Sequence, residues 1–315
     1  MANEPSVHFQ NHFRNDFEML YQQRESRLWQ CVRTEDQNVE SDFYNFIGDL
    51  DDDDTETTVR HGDTELSEVS HLRRRLTLAC KDKAVGLDRN DKAMMGEYDP
   101  SSGYAKTLSA YFGRWVDRKI LAAMGGPAYT GQSGATTVLN YAVGECRLMN
   151  SDGTLATAGS DFSAKTETGL TLAKIETAGA VLTDAGVPED DQRFLALDIY
   201  AVNALMTDTT WGSEEWRALR DVREGKMARV LGFNLKVLPR KQFTDPEVEG
   251  TACIQTYAWH RSAVLAASGT GLWAPRVIVG PRSDKKHLTQ IFCDMNMGAT
   301  RLQGPGVVEI LLKQD

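Results

Sequence analysis

The sequence predicts an α+β protein, and three observations carry that prediction. A long amphipathic helical pattern covers residues 99–124, a second covers 171–185, and the chain after Arg276 is patterned as strands. With 315 residues, 41% hydrophobic and 25% charged, the composition is globular, which excludes wholesale disorder, collagen-like repeats and a disulfide scaffold. At about 150 residues per domain, the length suggests roughly two domains or one elaborated domain. No window approaches the roughly 18 continuous apolar residues of a membrane span, and the start MANEPSVHFQNHF is no signal peptide. The expectation is a soluble chain, without membrane contact, that stays where it is made. Five scattered cysteines (Cys31, Cys80, Cys146, Cys253, Cys293) form no CxxC pair and fit reduced thiols.

From the start, Phe9, Phe13, Phe17, Leu20, Tyr21, Leu28 and Val32 recur at helical spacing, interrupted by Arg24. They predict an amphipathic arm over 9–32 that must lie on its own domain or on a partner. The net charge of −10 arises wholly in residues 1–100, where 22 acids oppose 12 bases. Residues 35–68 hold 13 acids and one base, Arg60, whereas 73–92 hold seven bases and three acids. The two stretches are either solvated loop faces or complementary surfaces that meet on neighbouring copies. A binder of duplex nucleic acid would instead show a basic face. Few residues between 49 and 97 could make a core, although His71–Leu87 carries loose strand alternation. A polar excursion of that length is generally functional or disordered.

Asp99 is an N-cap candidate for the long helix and Pro100 suits its first position; Gly125-Gly126-Pro127 stops it. About 25 residues at 1.5 Å each give roughly 37 Å. Gly186 and Pro188 end the second helix. Downstream the patterns read as strand 193–197, helix 199–206, helix 214–225 capped by Ser213, strand 234–238, strand 251–257 and helix 258–267. Strands 276–279, 288–302 and 307–313 close the chain, the last two as a long hairpin turning at Gly304-Pro305-Gly306.

Motifs for chemistry are absent. There is no GxxxxGK[ST], no GxGxxG after a strand, no GxSxG and no HExxH. His8 and His12 stand one helical turn apart without a third ligand nearby. His260 reads as a catalytic base or, more commonly for a lone histidine beside an aromatic, as a packed or capping residue. Asp49, Asp51 and Asp53 mimic the first ligands of a calcium loop, but its sixth position is Asp54 and its twelfth Arg60, where glycine and glutamate are required. No carboxylate pair sits in apolar sequence as a general acid needs. No cofactor is expected.

The order of parts resembles the major capsid (coat) proteins of tailed double-stranded DNA phages with the Hong Kong 97-type fold, especially those of short-tailed phages. The phrases that carry the resemblance are GGPAYTG after the long helix, LTLAKIETAGAVLTDAGVPEDDQRFLAL, MTDTTWGSEEWRALRDVREGKMARVLGFNLKVLP, TYAWHRSAVLAA and MGATRLQGPGVVEILL. They span nearly the whole chain, and their order supplies the specificity. Asp198 stands where many relatives have proline. The resemblance implies an N-terminal arm (1–48), an extended β-hairpin loop (49–97), a peripheral domain with a spine helix (98–193), an axial domain (194–273) and return strands of the peripheral domain (274–315).

It also implies a function: a non-enzymatic subunit that self-assembles into hexamers and pentamers of an icosahedral head enclosing the genome. Its partners would be copies of itself, a separate scaffolding protein, a portal protein, a possible decoration protein and packaged DNA touched nonspecifically. It would reside in the virion after assembly in the host cytoplasm. The interface candidates are Asp51, Asp52, Asp53 and Asp54 on the acidic limb, Arg73, Arg74 and Arg75 on the basic limb, and Phe13 and Phe17 on the arm. Reversing the three arginines to glutamate is expected to block assembly of a folded monomer. Lys81, Lys83 and Lys92 have no evident activating carboxylate, so cross-linking is not expected. The competing readings are a head-completion or tail adaptor ring, and a cytosolic metal-dependent hydrolase using Asp49–Asp54 with His61 or His71 as base.

Overall fold

A computed structural model describes residues 23, 25–48, 69–88, 101–138, 147–149, 169–207, 229–243, 247–248 and 251–313. The arm before Gln23, the aspartate run, the cap at Asp99-Pro100 and the helix expected over 214–225 lie outside them.

Three sheets and three helices make up the described body. In the first sheet, strand β15 (Leu288–Arg301) is the long axis. Strands β14 (Arg276–Arg282) and β13 (Val264–Gly269) share one of its edges in succession, β4 (Ala79–Leu87) lies along the other, and β1 (Arg33–Gln37) adds parallel to β13. The second sheet runs β7-β16-β12-β8-β10-β9, with β7 at Arg147–Met149, β8 at Arg193–Leu197, β9 at Arg229–Val230, β10 at Phe233–Val237, β12 at Thr251–His260 and β16 at Val307–Lys313. A short strand, β11 (Glu247–Val248), pairs with β12. The third is an antiparallel set of β2 (Ser41–Ile47), β3 (His71–Thr77), β5 (Ala128–Thr130) and β6 (Thr136–Val138).

Helix α1 (Ser101–Gly125) packs across β15 and β13. Its buried face, Leu108, Phe112, Trp115, Val116, Ile120, Leu121 and Met124, follows the helical spacing read from sequence. Buried Arg301 donates from Nη1 to the carbonyls of Met124 (2.8 Å) and Gly126 (3.3 Å), which places a cation where the helix dipole is negative. Helix α2 (Leu172–Asp184) is capped by the Thr171 side chain accepting from Lys174 N. It ends with Gly186 at φ +71°, with Gly186 N bonded to Thr183 O and Val187 N to Leu182 O. That is a left-handed glycine stop of the kind expected there. Helix α3 (Ile199–Thr207) follows β8, and Asp198 supplies its cap: Oδ1 accepts from Ala201 N at 2.8 Å.

Two expectations are corrected. Residues 258–267 are not helical. β12 continues to His260, a 3-10 turn spans Arg261–Ala263, and β13 follows. Alanine-rich sequence favours helix locally, but Val264–Ala267 are buried on both faces, between β1 and β15, and pairing overrides propensity. The strands flanking Gly304-Pro305-Gly306 form no hairpin. β16 pairs with β12 and β7 in the second sheet. Its run Val307–Leu312 is buried throughout, as a central strand requires, and such a strand needs partners on both edges. The few core residues of the excursion are Leu76 and Leu78, which pack with Leu265, Ala267 and Leu302, and Leu87, buried on β4, among the described residues.

Candidate assembly surfaces

The base of the arm is fastened to its own body. Residues 25–32 form turns and a 3-10 helix at Trp29–Cys31 rather than the end of an amphipathic helix, and Leu28, Cys31 and Val32 are buried in the main core. The fastener is Asp117, fully buried on α1. Its Oδ1 accepts from Ser26 Oγ (2.6 Å) and from the backbone N–H groups of Arg27 and Leu28 (both 3.1 Å), and Oδ2 accepts from Gln23 Nε2. A buried carboxylate surrounded by donors in this way is satisfied rather than catalytic. Around it Arg114 donates to Gln23 O, Arg27 to Val237 O, and Trp259 Nε1 to Cys31 O at 2.9 Å. Sequence reasoning missed Asp117; the available signal was a lone acid beside the apolar stripe of a long helix.

The hairpin of β2 and β3 pairs Ser41↔Thr77 through Ile47↔His71 and brackets the acidic segment. Strand periodicity divides its three arginines. Arg74 points inward and is buried, donating Nε to Leu302 O at 3.3 Å. Arg73 lies over the Phe43 ring (5.3 Å) and donates to Asn45 Oδ1 at 2.7 Å. Arg75 lies over Tyr129, its cross-strand partner, at 5.2 Å. Gly134 makes room for it, since a Cβ there would sit 2.7 Å from Arg75 Cδ. All three therefore make contacts within the chain, and reversing their charge tests the hairpin's fold before it tests a neighbour. Asp51, Asp52, Asp53, Asp54, Phe13 and Phe17 lie outside the described residues, and so does any contact between the acidic and basic limbs.

His260 is a packed capping residue. Its Nδ1 meets Ser262 Oγ at 2.7 Å and also accepts from Ser262 N, while Nε2 meets Asp190 Oδ1 at 3.1 Å. At Asp190 desolvation pulls the carboxyl upward, but the Gln192 N–H, His260 and Arg193 together hold it below its usual value. Among the described residues no group of three or more His, Cys, Asp or Glu side chains could hold a metal, and no helix is long and apolar enough to cross a membrane. What the described surface does offer is apolar exposure: Ile47 is 76% exposed and Leu72 46% at the hairpin, Leu272 98% on the 3-10 turn Gly271–Trp273, and Val277, Ile278 and Val279 along β14.

Solved structures share this architecture. The capsid asymmetric unit of cyanophage Pam1 matches with a TM-score of 0.71 at 14% identity, covering 99% of each chain. The capsid of Ralstonia phage GP4 matches at 0.69 and 11% identity, over 100% of this chain and 97% of that one. The acid-stable capsid of Helicobacter pylori bacteriophage KHP30 matches at 0.64 and 11% identity over 100% of both. No curated protein sequence matches significantly. The structural likenesses establish a fold of the Hong Kong 97 type. The family model for phage capsid proteins matches residues 6–314, nearly the entire chain. The chain therefore belongs to the phage capsid protein family, as a non-enzymatic structural subunit of a phage head that resides in the virion.

Proposed function

We propose that this subunit forms hexamers and pentamers that close into an icosahedral shell around double-stranded DNA, with a separate scaffolding protein guiding assembly in the host cytoplasm. The portal takes one vertex, and any decoration protein binds outside. Rings of this kind are built from heterologous contacts that close by rotation. The observation that carries the reading is the hairpin stem. Ile47 and Leu72 remain open on β2 and β3, directly beside the segment 49–68, although the rest of the body encloses a continuous core. A hairpin that ends in exposed apolar residues and an acidic run gains its burial from outside the chain. Asp51, Asp52, Asp53 and Asp54 take part in those contacts, and Phe13 and Phe17 place the arm on a neighbour.

Electron microscopy of the protein co-produced with its scaffolding protein tests the proposal. Hexamers, pentamers and closed particles are the expected result. A single small ring of fixed size, with no closed shells, would overturn it in favour of an adaptor.

A further inference from the structure

Helix α1 packs on β15, and β4 pairs along an edge of that strand. β4 carries Lys81, Asp82 and Lys83 in succession. Side chains alternate along a strand, so Asp82 is sent to one face of the sheet and the two lysines to the other. The register fixes which. Lys81 and Lys83 stand opposite Met295 and Cys293, which pack in the same core as α1, and Lys83 Nζ lies 5.6 Å from the centre of the Tyr111 ring. The lysines therefore flank α1, while exposed Asp82 faces away from it.

α1 adds to this face. It carries Lys106, Arg114, Arg118 and Lys119 against a single acid, Asp117, which is fully buried and engaged by the base of the arm. Tyr111, Arg114 and Arg118 succeed one another at i, i+3 and i+7, the spacing of one helical stripe. Lys119 Nζ lies 5.9 Å from the centre of the Trp115 ring, one turn beyond Tyr111. Arg118 and Lys83 are exposed; Arg114, Lys119 and Lys81 are half-buried, and Arg114 donates to Gln23 O at 3.0 Å. Along the sequence Asp82 and Asp117 interrupt the cations. The fold turns one away and buries the other, so α1 and β4 present only positive charge here, on a chain whose net charge is −10.

We propose that Lys81 and Lys83 of β4 with Arg114, Arg118 and Lys119 of α1 form the surface by which the subunit touches the phosphate backbone of enclosed duplex DNA. The proposal rests on the head-subunit reading above and assigns the surface for one of its partners. A phosphate backbone asks for cations in a row and for no base-reading groups. Arg114 and Arg118 lie about 6 Å apart along the helix axis, with the lysines beside them. The rings of Tyr111 and Trp115 sit under Lys83 and Lys119, so the face offers charge without an open apolar anchor. A protein partner needs such an anchor, and the exposed Ile47, Leu72 and Val277–Val279 belong to other elements. The acidic remainder of the chain repels DNA, which confines contact to this face and keeps it weak. Five phosphate contacts give log K a slope of about −4.5 against log salt.

The test uses the purified full chain and a fluorescein-labelled random-sequence DNA duplex, read by anisotropy across a salt titration. Electron microscopy of particles co-produced with the scaffolding protein runs beside it. Lys83→Glu/Arg118→Glu is expected to melt like wild type and to close shells in wild-type yield. It should bind the duplex at least tenfold more weakly, with a salt slope shallower by about 2. The charge-matched Lys285→Glu/Lys286→Glu variant, altered in the turn between β14 and β15, should lose far less. Should the first reversal disturb folding, Arg118→Gln/Lys119→Gln removes charge without inverting it and should also make the slope shallower by about 2. Duplex binding unchanged by these α1 and β4 variants, or an equal loss in the charge-matched control, would overturn the proposal. So would folded variants that no longer close shells, which would make the face a contact between proteins. A wild-type chain that never closes shells would instead sink the head-subunit reading, with duplex binding still decided by anisotropy.

Discussion

Asp117 shows how much one side chain holds in place. Its donors include two backbone N–H groups that would otherwise be buried without partners. Each such loss costs about 1–3 kcal/mol, so Asp117→Ala should lower the unfolding free energy by roughly 3 kcal/mol in urea denaturation. Asp117→Asn keeps an acceptor and should cost less. The thiols give a second check. Burial pushes Cys31 and Cys293 above their ordinary value, whereas Cys80 is exposed. A thiol reagent at pH 8 should modify Cys80 quickly and Cys31 and Cys293 only as the chain opens. Comparable rates at all three would contradict the packing. Asp190 supplies a pH effect of known sign. Its carboxyl is held low in the fold, so its contribution is complete above the unfolded value of 3.8 and is lost as the pH falls below it. The side chain is 39% exposed, which keeps the effect small. Asp190→Asn should flatten that part of an acid-unfolding curve.

Elements with a strong local signature form where the sequence places them. α1 follows its apolar spacing, α2 stops at Gly186, and β8, β15 and β16 occupy their expected stretches to within a residue. Elements without one depend on their neighbours. Val264–Ala267 is a short apolar run with no period to separate helix from strand, and its pairing with β1 and β15 decides the outcome. The same holds for β15 and β16, since a glycine-proline turn marks a change of direction but not which strand is paired next. Gly298 illustrates the packing that makes β15 what it is. A Cβ at that position would lie 2.6 Å from Thr77 O, where the end of β3 passes over the strand. Gly298→Val should cost about 2 kcal/mol or more, measured as a lowered melting temperature, with the hairpin losing order first.

At the scale of the whole molecule, a large core enclosed by α1, α2 and two sheets coexists with apolar residues left open on β14 and at the hairpin. The arm joins that core through Leu28, Cys31 and Val32, with Gln23 bonded to Asp117 and Cys31 to Trp259. Deleting residues 1–22 should therefore leave the melting temperature within a few degrees of wild type while reducing particle formation, read by sedimentation. A deletion that unfolds the body would refute this division. The amino-acid sequence by itself determined the fold class, the long helix, the terminal strands and the capsid resemblance, because periodicity, caps and the order of segments are local properties of the chain. Only the tertiary structure decided that Asp117 anchors the arm, that Arg73, Arg74 and Arg75 face their own chain, and that β16 lies beside β12. Each of those depends on partners far apart in sequence, joined by packing and hydrogen bonds that no local pattern encodes.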